Sequence, residues 1–357
     1  MMVVVWHSRL AIKNTIHNYW FEGDAIYRAS HYPTFMNHLD FGVDIFFCIS
    51  GFIMYMLIEK LPSSTKSSLQ FLLNRAIRIL PPYWFFSALV VVVFLASRGN
   101  FNVGQLSGDL FVDSFRFLTS ILLLPQPEPP ILGVGWTLVH ESLFYLICGL
   151  VVILGLNRRL PEVLAILSVV AVILGVLDTP VLFGYGFSTF YIEFFFGALA
   201  YRLYRLNRIT AFPIMMILAG VGCYCLVSYL LDAAVIPAVA FVIRQLGGGL
   251  VGFLLISGLI GADRKYSFAT TIVGTLLMRI GDASYTLYLM HWFVLSLMGK
   301  IIGLVSGVPL FVVAIWHLLS MATAIVLAVF LAECVELPFH RLLLRRIYPL
   351  LNKRIEN

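Results

Sequence analysis

Long apolar runs separated by short polar segments dominate this chain from end to end. A helix rises 1.5 Å per residue, so about 20 apolar residues cover the roughly 30 Å hydrocarbon core of a bilayer. Nine stretches fit that length: 41–58, 80–97, 138–156, 163–178, 186–201, 211–231, 239–261, 284–303 and 309–332. The opening residues, about 1–12, read as the outer half of a tenth and truncated span. The segment FLTSILLLPQPEPP (117–130) is too short and too proline-rich to cross, and reads as an outer loop or re-entrant piece. The pattern predicts an all-α fold, a polytopic transmembrane bundle of about ten helices with the first one truncated. It forms a single membrane-embedded domain over residues 1–357, with a basic tail from about 345.

Composition agrees and removes other classes. The 357 residues are 61% hydrophobic and only 12% charged, whereas soluble domains are about one quarter charged. A net charge of +6 would suit nucleic acid, but the positions of the charges point to a membrane instead. With the N-terminus inside, only Arg9, Lys13, Arg28, Arg98, Arg116, Arg244 and Lys300 fall outside, and the other 17 of the 24 Lys and Arg face the cytoplasm. That asymmetry predicts ten crossings of the inner (plasma) membrane with both termini cytoplasmic, and no nucleic-acid partner. All five cysteines lie inside apolar runs, which argues against a disulfide framework and a zinc site. No cleavable signal precedes the first run.

Ionisable residues near apolar runs are costly and so point to function. The topology brings His7, Asp44 and Glu141 to the outer face at one membrane level. A histidine beside a carboxylate is the pairing used for general base catalysis, because the carboxylate fixes the ring tautomer and stabilises the imidazolium. The competing reading is an interfacial cluster that only joins helices. At the inner face, Arg75 and Arg78 share one helical face, which suits a phosphate-rich ligand; flanking cations that set topology and touch anionic lipid are the alternative. Pro81 and Pro82 are expected to break that helix before Tyr83 and Trp84.

Other features carry less. HESLF (140–144) lacks the second histidine of a zinc-protease helix. GGG (247–249) fits close helix packing. His317 reads as a buried, satisfied polar group, and His17, His31 and His38 as outer-loop residues. In ASYTLYLMHW (283–292), Ser284, Tyr285, Tyr288 and His291 recur at helical spacing, with His291 near mid-membrane. Glu336 of VELPFHR stands at the inner end of the last span.

Five of these pieces, FGVDIFFCISGF, NRAIRILPPYW, GWTLVHESLFY, ASYTLYLMHW and VELPFHR, occur in an order that resembles the acyltransferase 3 family, over about 41–341. The resemblance implies a membrane O-acyltransferase that moves an acyl group, typically acetyl, from cytoplasmic acetyl-CoA to a hydroxyl of an exopolysaccharide or other surface glycan. Acyl-CoA is then a co-substrate, with no permanently bound cofactor and no metal, and the acceptor is a glycan or lipid-linked saccharide. It also implies His7 as the catalytic residue, with Asp44 and Glu141 beside it, and Arg75, Arg78 and Tyr83 on the acyl-CoA. Ser50, Trp136, Tyr145, Tyr288 and His291 are further site candidates from the matching motifs.

The family pattern also carries an arginine about three helical turns before that histidine. Only six residues precede His7, so the resemblance implies either a longer native start or a shortened first helix. The residues leave two other readings open: a glycan or lipid-linked oligosaccharide transporter, and a non-catalytic scaffold of a polysaccharide export complex. A transporter of this size is expected to show inverted repeats, and no convincing repeat is present.

Overall fold

The computed structural model describes residues 1–8, 37–96, 110–126, 129–176, 190–209, 212–305 and 309–355. His17, His31 and most of the first predicted outer loop lie outside them. All regular structure among the described residues is helical: α1 (2–8), α2 (Gly42–Ile58), α3 (Thr65–Ala96), α4 (Leu110–Ile121), α5 (Trp136–Ile153), α6 (Leu160–Val176), α7 (Tyr191–Arg205), α8 (Pro213–Ala233), α9 (Pro237–Tyr266), α10 (Ile272–Asp282), α11 (Ser284–Gly303), α12 (Leu310–Leu331) and α13 (Leu337–Ile355).

Seven of these are long and apolar enough to cross a bilayer: α2, α3, α5, α8, α9, α11, and α12 running on into α13. The expected spans at 163–178 and 186–201 appear as α6 and α7, with 17 and 15 helical residues among the described ones. Outward faces are apolar; Ile214, Met215, Leu218, Val221 and Leu226 of α8 are all exposed. In water such a face would be a large hydrophobic patch, whereas in lipid it is solvated. The chain is a multi-pass membrane protein.

Two compact units divide it. One comprises Met1–Val43 and Phe268–Phe339, the other Asp44–Ser267 and His340–Asn357. In the larger unit, α2, α7 and α9 approach so closely that glycine is required at the contacts. A Cβ at Gly51 would overlap the Phe194 carbonyl, and one at Gly197 the Cys48 carbonyl. On α9, Gly248 lies against the Asp44 carboxylate and Gly252 against Cys48. The GGG run thus packs helices, as small residues do where lipid supplies no hydrophobic drive for association. Phe144 stacks on Phe194 at 3.9 Å between ring centroids, sealing α5 against α7.

Helices α3 and α5 run antiparallel in a register fixed along their length. Ser68 donates to the Gly149 carbonyl at 2.8 Å, the Phe71 and Tyr145 rings meet at 6.3 Å, and Tyr83 lies 2.8 Å from where a Cβ on Gly135 would stand.

The expected break at Pro81 and Pro82 does not occur, and α3 continues through both for 32 residues. Prolines lose two backbone donors but are tolerated in membrane helices whose neighbours hold the segment. Here Trp84 donates its indole N–H to the Ile121 carbonyl at 2.9 Å, and the Tyr83 hydroxyl meets Ser120 at the same helix end. Residues 117–121 of the expected loop are therefore the end of α4, an amphipathic helix that hydropathy alone did not reveal.

In the smaller unit, α11 and α12 form an antiparallel hairpin in which the Trp316 indole donates to the Met298 carbonyl at 2.9 Å. Arg279 of α10 forks onto Glu333 with bonds of 3.0 and 3.2 Å. Thr286 of α11 donates to Glu336 at the end of a single π-helical turn, Ala332–Glu336, that links α12 to α13.

Packing at the glycine contacts has a direct test. Gly197→Val places atoms on the Cys48 carbonyl and is expected to lower the thermal midpoint of the purified protein in detergent sharply, since overpacking costs ~1–3 kcal/mol even where the backbone can shift. Gly222→Ala, where nothing lies within 4 Å, is expected to leave the midpoint unchanged or raise it, because alanine is the better helix former. Equal effects from both would sink the close-packing account.

Candidate active site

Within the smaller unit, α1 carries His7 and α11 carries His291, and their rings meet edge to edge. His291 Nε2 lies 3.0 Å from His7 Nδ1, and His291 Nδ1 lies 3.0 Å from the Leu287 carbonyl one turn back on its own helix. A carbonyl only accepts, so the neutral His291 ring carries its proton on Nδ1 and offers Nε2 as an acceptor. His7 must then donate from Nδ1. The Val3 carbonyl, one turn back on α1 and within reach of Nδ1 on a helix, is a second acceptor beside the same ring. That order of donors leaves the lone pair of His7 on Nε2, the nitrogen available to take a proton from elsewhere. Trp6 and Trp292 stand edge-on to the His7 ring at 5.0 and 5.4 Å, and His291 is fully buried.

The sequence-based expectation was a carboxylate orienting His7. Asp44 and Glu141 belong to the other unit, where each has partners of its own. Asp44 is fully buried and accepts from Arg244 Nη2 at 2.8 Å. Buried Glu193, in the first turn of α7, hydrogen-bonds it as well. Glu141 accepts from the hydroxyls of Tyr145 and Ser50, the latter at 3.2 Å. Ser50 is six residues beyond Asp44 on α2, a rise of about 9 Å, so the two carboxylates lie at different depths rather than one level. Hydropathy marks which run a residue belongs to but not how far neighbouring helices are staggered.

Arg75 and Arg78 also differ from expectation. They lie well inside α3, about 15 Å along it from Thr65 to Arg75, and both are electrostatic neighbours of Glu141. They do not flank an inner face remote from it. Arg75 Nε is buried and has no hydrogen-bond acceptor among the described residues.

Against these sites stands a comparison with known proteins. Residues 1–334 match the family model described as an acyltransferase domain. The chain belongs to the acyltransferase 3 family. It is thus a membrane acyltransferase, similar to the exopolysaccharide production protein ExoZ of Rhizobium meliloti (strain 1021) at 29% identity over 274 residues, 74% of this chain and 79% of that protein. No solved structure matches it.

Several other candidate residues make contacts within the acyltransferase. Tyr83 is fully buried, and its hydroxyl is engaged by the Ser120 carbonyl at 3.0 Å and hydroxyl at 3.1 Å. Trp136 stands edge-on to His140 at 5.8 Å, and the Tyr288 ring lies 6.0 Å from that of His291. His317, expected to be satisfied, is buried with neither ring nitrogen hydrogen-bonded among the described residues.

Two site residues escaped the sequence reading, Arg244 and Glu193. Each is an isolated charge on a largely apolar helix, α9 or α7. That cost was the available signal, but a charge on one span does not reveal which other span answers it.

The Asp44–Arg244 pair should behave as a unit. Asp44→Leu alone leaves the partly buried Arg244 guanidinium without its hydrogen-bonded carboxylate, and up to ~3–5 kcal/mol of stability is expected to go with it. Asp44→Leu combined with Arg244→Met should recover much of that loss. A double-mutant cycle of thermal midpoints in detergent measures the coupling, and strictly additive losses would contradict it.

Proposed function

We propose that this acyltransferase moves an acyl group, acetyl in the simplest case, from acyl-CoA to a hydroxyl of an exopolysaccharide or another surface glycan, free or lipid-linked. The observation that carries the reading is the hydrogen-bonded pair His7–His291, which leaves the lone pair of His7 on Nε2, without a hydrogen-bond partner among the described residues. The printed role of ExoZ in exopolysaccharide production supports the acceptor class.

A sugar hydroxyl is a weak nucleophile near neutrality, so its proton must leave as it attacks. His7 Nε2 takes that proton while the hydroxyl oxygen bonds to the thioester carbonyl carbon. The carbon–sulfur bond then breaks, and the imidazolium returns the proton to the departing thiolate. His291 keeps the His7 ring in the required tautomer and accepts the hydrogen bond from Nδ1–H throughout, the orienting role that a carboxylate has in a Ser-His-Asp triad.

Arg75 and Arg78 serve the donor in this reading. Their paired guanidinium groups match phosphate oxygens, and a buried Nε without an acceptor favours an anionic ligand. Glu141, held by Tyr145 and Ser50, balances their charge when no donor is bound. The charge asymmetry along the sequence supports a cytoplasmic donor and cytoplasmic termini in the inner membrane.

His7→Ala is expected to abolish glycan acylation while the protein remains in the membrane at normal abundance; full retained activity would overturn the assignment. His291→Leu removes the acceptor for the Nδ1 proton and should lower kcat by about 10²-fold, with the KM for acyl-CoA unchanged. His291→Gln, which can still accept, should retain more activity. Arg75→Ala with Arg78→Ala is expected to raise that KM instead, and an unchanged KM would remove the pair from the donor site.

A further inference from the structure

At one end of the larger unit, the turns after α2 and α5 and the last residue of α7 line a half-open cavity of about 630 Å³. Its size falls within the range of small-molecule sites. Lys60, Arg158, Arg159 and Arg205 line it, with Glu59 as the single carboxylate. None of these residues was assigned a role from the sequence beyond setting topology.

The nearby carboxylates are already engaged. Glu59 is paired with Arg205 and accepts from the Tyr201 hydroxyl at 3.2 Å. Glu162, in the first turn of α6, is gripped by Arg202 through two bonds of 2.7 and 2.9 Å. Lys60, Arg158 and Arg159 make no salt bridge and no side-chain hydrogen bond among the described residues.

The backbone of the rim is fixed as well. Asn157, itself 5% exposed, donates to the carbonyls of Ile58 and Leu61 at 3.0 and 2.9 Å. The Arg158 carbonyl accepts from Tyr55 at 2.9 Å and from Arg202 at 2.6 Å. Gly155 takes a positive φ of 70°, which lets the N–H groups of Gly155 and Leu156 return to the carbonyls of Val152 and Val151. The carbonyls of Leu61 and Arg158, which line the cavity and would repel an anion, therefore already have donors. What faces the cavity is an excess of three positive charges on a held backbone, and such an arrangement attracts and orients phosphate oxygens.

We propose that this cavity binds a phosphate-bearing ligand, through Lys60, Arg158 and Arg159. Two sources present that chemistry: the nucleotide end of a coenzyme A thioester, and the headgroup of an anionic phospholipid. The proposal is separate from the roles of His7 and of Arg75 and Arg78.

Purified full-length protein in phosphatidylcholine nanodiscs, titrated calorimetrically with free coenzyme A, tests the first source. Mass spectrometry of phosphatidylglycerol retained through purification tests the second. The variants are Arg158→Gln with Arg159→Gln, and separately Lys60→Gln. Because these side chains make no internal bonds and the Arg158 carbonyl is unaltered, the thermal midpoint should be unchanged. A loss of coenzyme A affinity of about tenfold or more assigns the site to the nucleotide. Unaltered coenzyme A binding with loss of retained phosphatidylglycerol assigns it to lipid. If neither measurement differs from the parent protein, the proposal is wrong. Activity of His7→Ala is not needed for any of these readings, so the test stands even if acyl transfer proceeds by another base.

Discussion

A polar group inside a bilayer has no water to satisfy it, so it must find its partner on another helix. Almost every distinctive feature of this acyltransferase follows from that constraint. Asp44 is answered by Arg244 from a helix two hundred residues away, Glu141 by Tyr145 and Ser50, Ser68 by a backbone carbonyl, and His7 by His291. Each pairing joins distant segments or fixes a ring, and together they specify which helices are neighbours. Apolar contact alone could not do so, because lipid tails solvate leucine as well as a protein interior does.

The second requirement is close approach. Short polar side chains such as Asp44 reach a partner only when backbones come near each other. The glycines at 51, 197, 248 and 252 make that possible by leaving room where a Cβ would strike a carbonyl, a carboxylate or a sulfur. Packing and polar pairing are therefore coupled: Gly248 lies against the same carboxylate that receives Arg244. Where α3 meets α5, hydroxyl, aromatic and tyrosine contacts hold one register from Ser68 to Tyr83, and this carries the helix through two consecutive prolines.

For the chemistry, the instructive substitution is a histidine where a carboxylate was expected. A carboxylate would hold the His7 ring equally well but would bring a full charge into an apolar surrounding. A neutral imidazole, anchored on its own helix by the Leu287 carbonyl, accepts the same proton without that cost. In the proposed mechanism its price is weaker stabilisation of the imidazolium.

The sequence by itself determined the class of fold, the multi-pass membrane habit and the family. Those follow from run length, charge scarcity and ordered motifs, all of which are local and additive along the chain. It also picked out the candidates: His7, His291, Asp44, Glu141 and the arginine pair all stood out as polar groups on apolar helices. Only the tertiary structure decided who pairs with whom. Depth along a helix, the stagger between neighbours and the continuity of α3 through Pro81 and Pro82 depend on contacts between segments far apart in sequence. Hence His291 is found at His7, Asp44 is paired with Arg244, and Glu141 has Arg75 among its charged neighbours. A hydropathy pattern records how each helix meets lipid, whereas partner choice is set by the geometry of helix against helix.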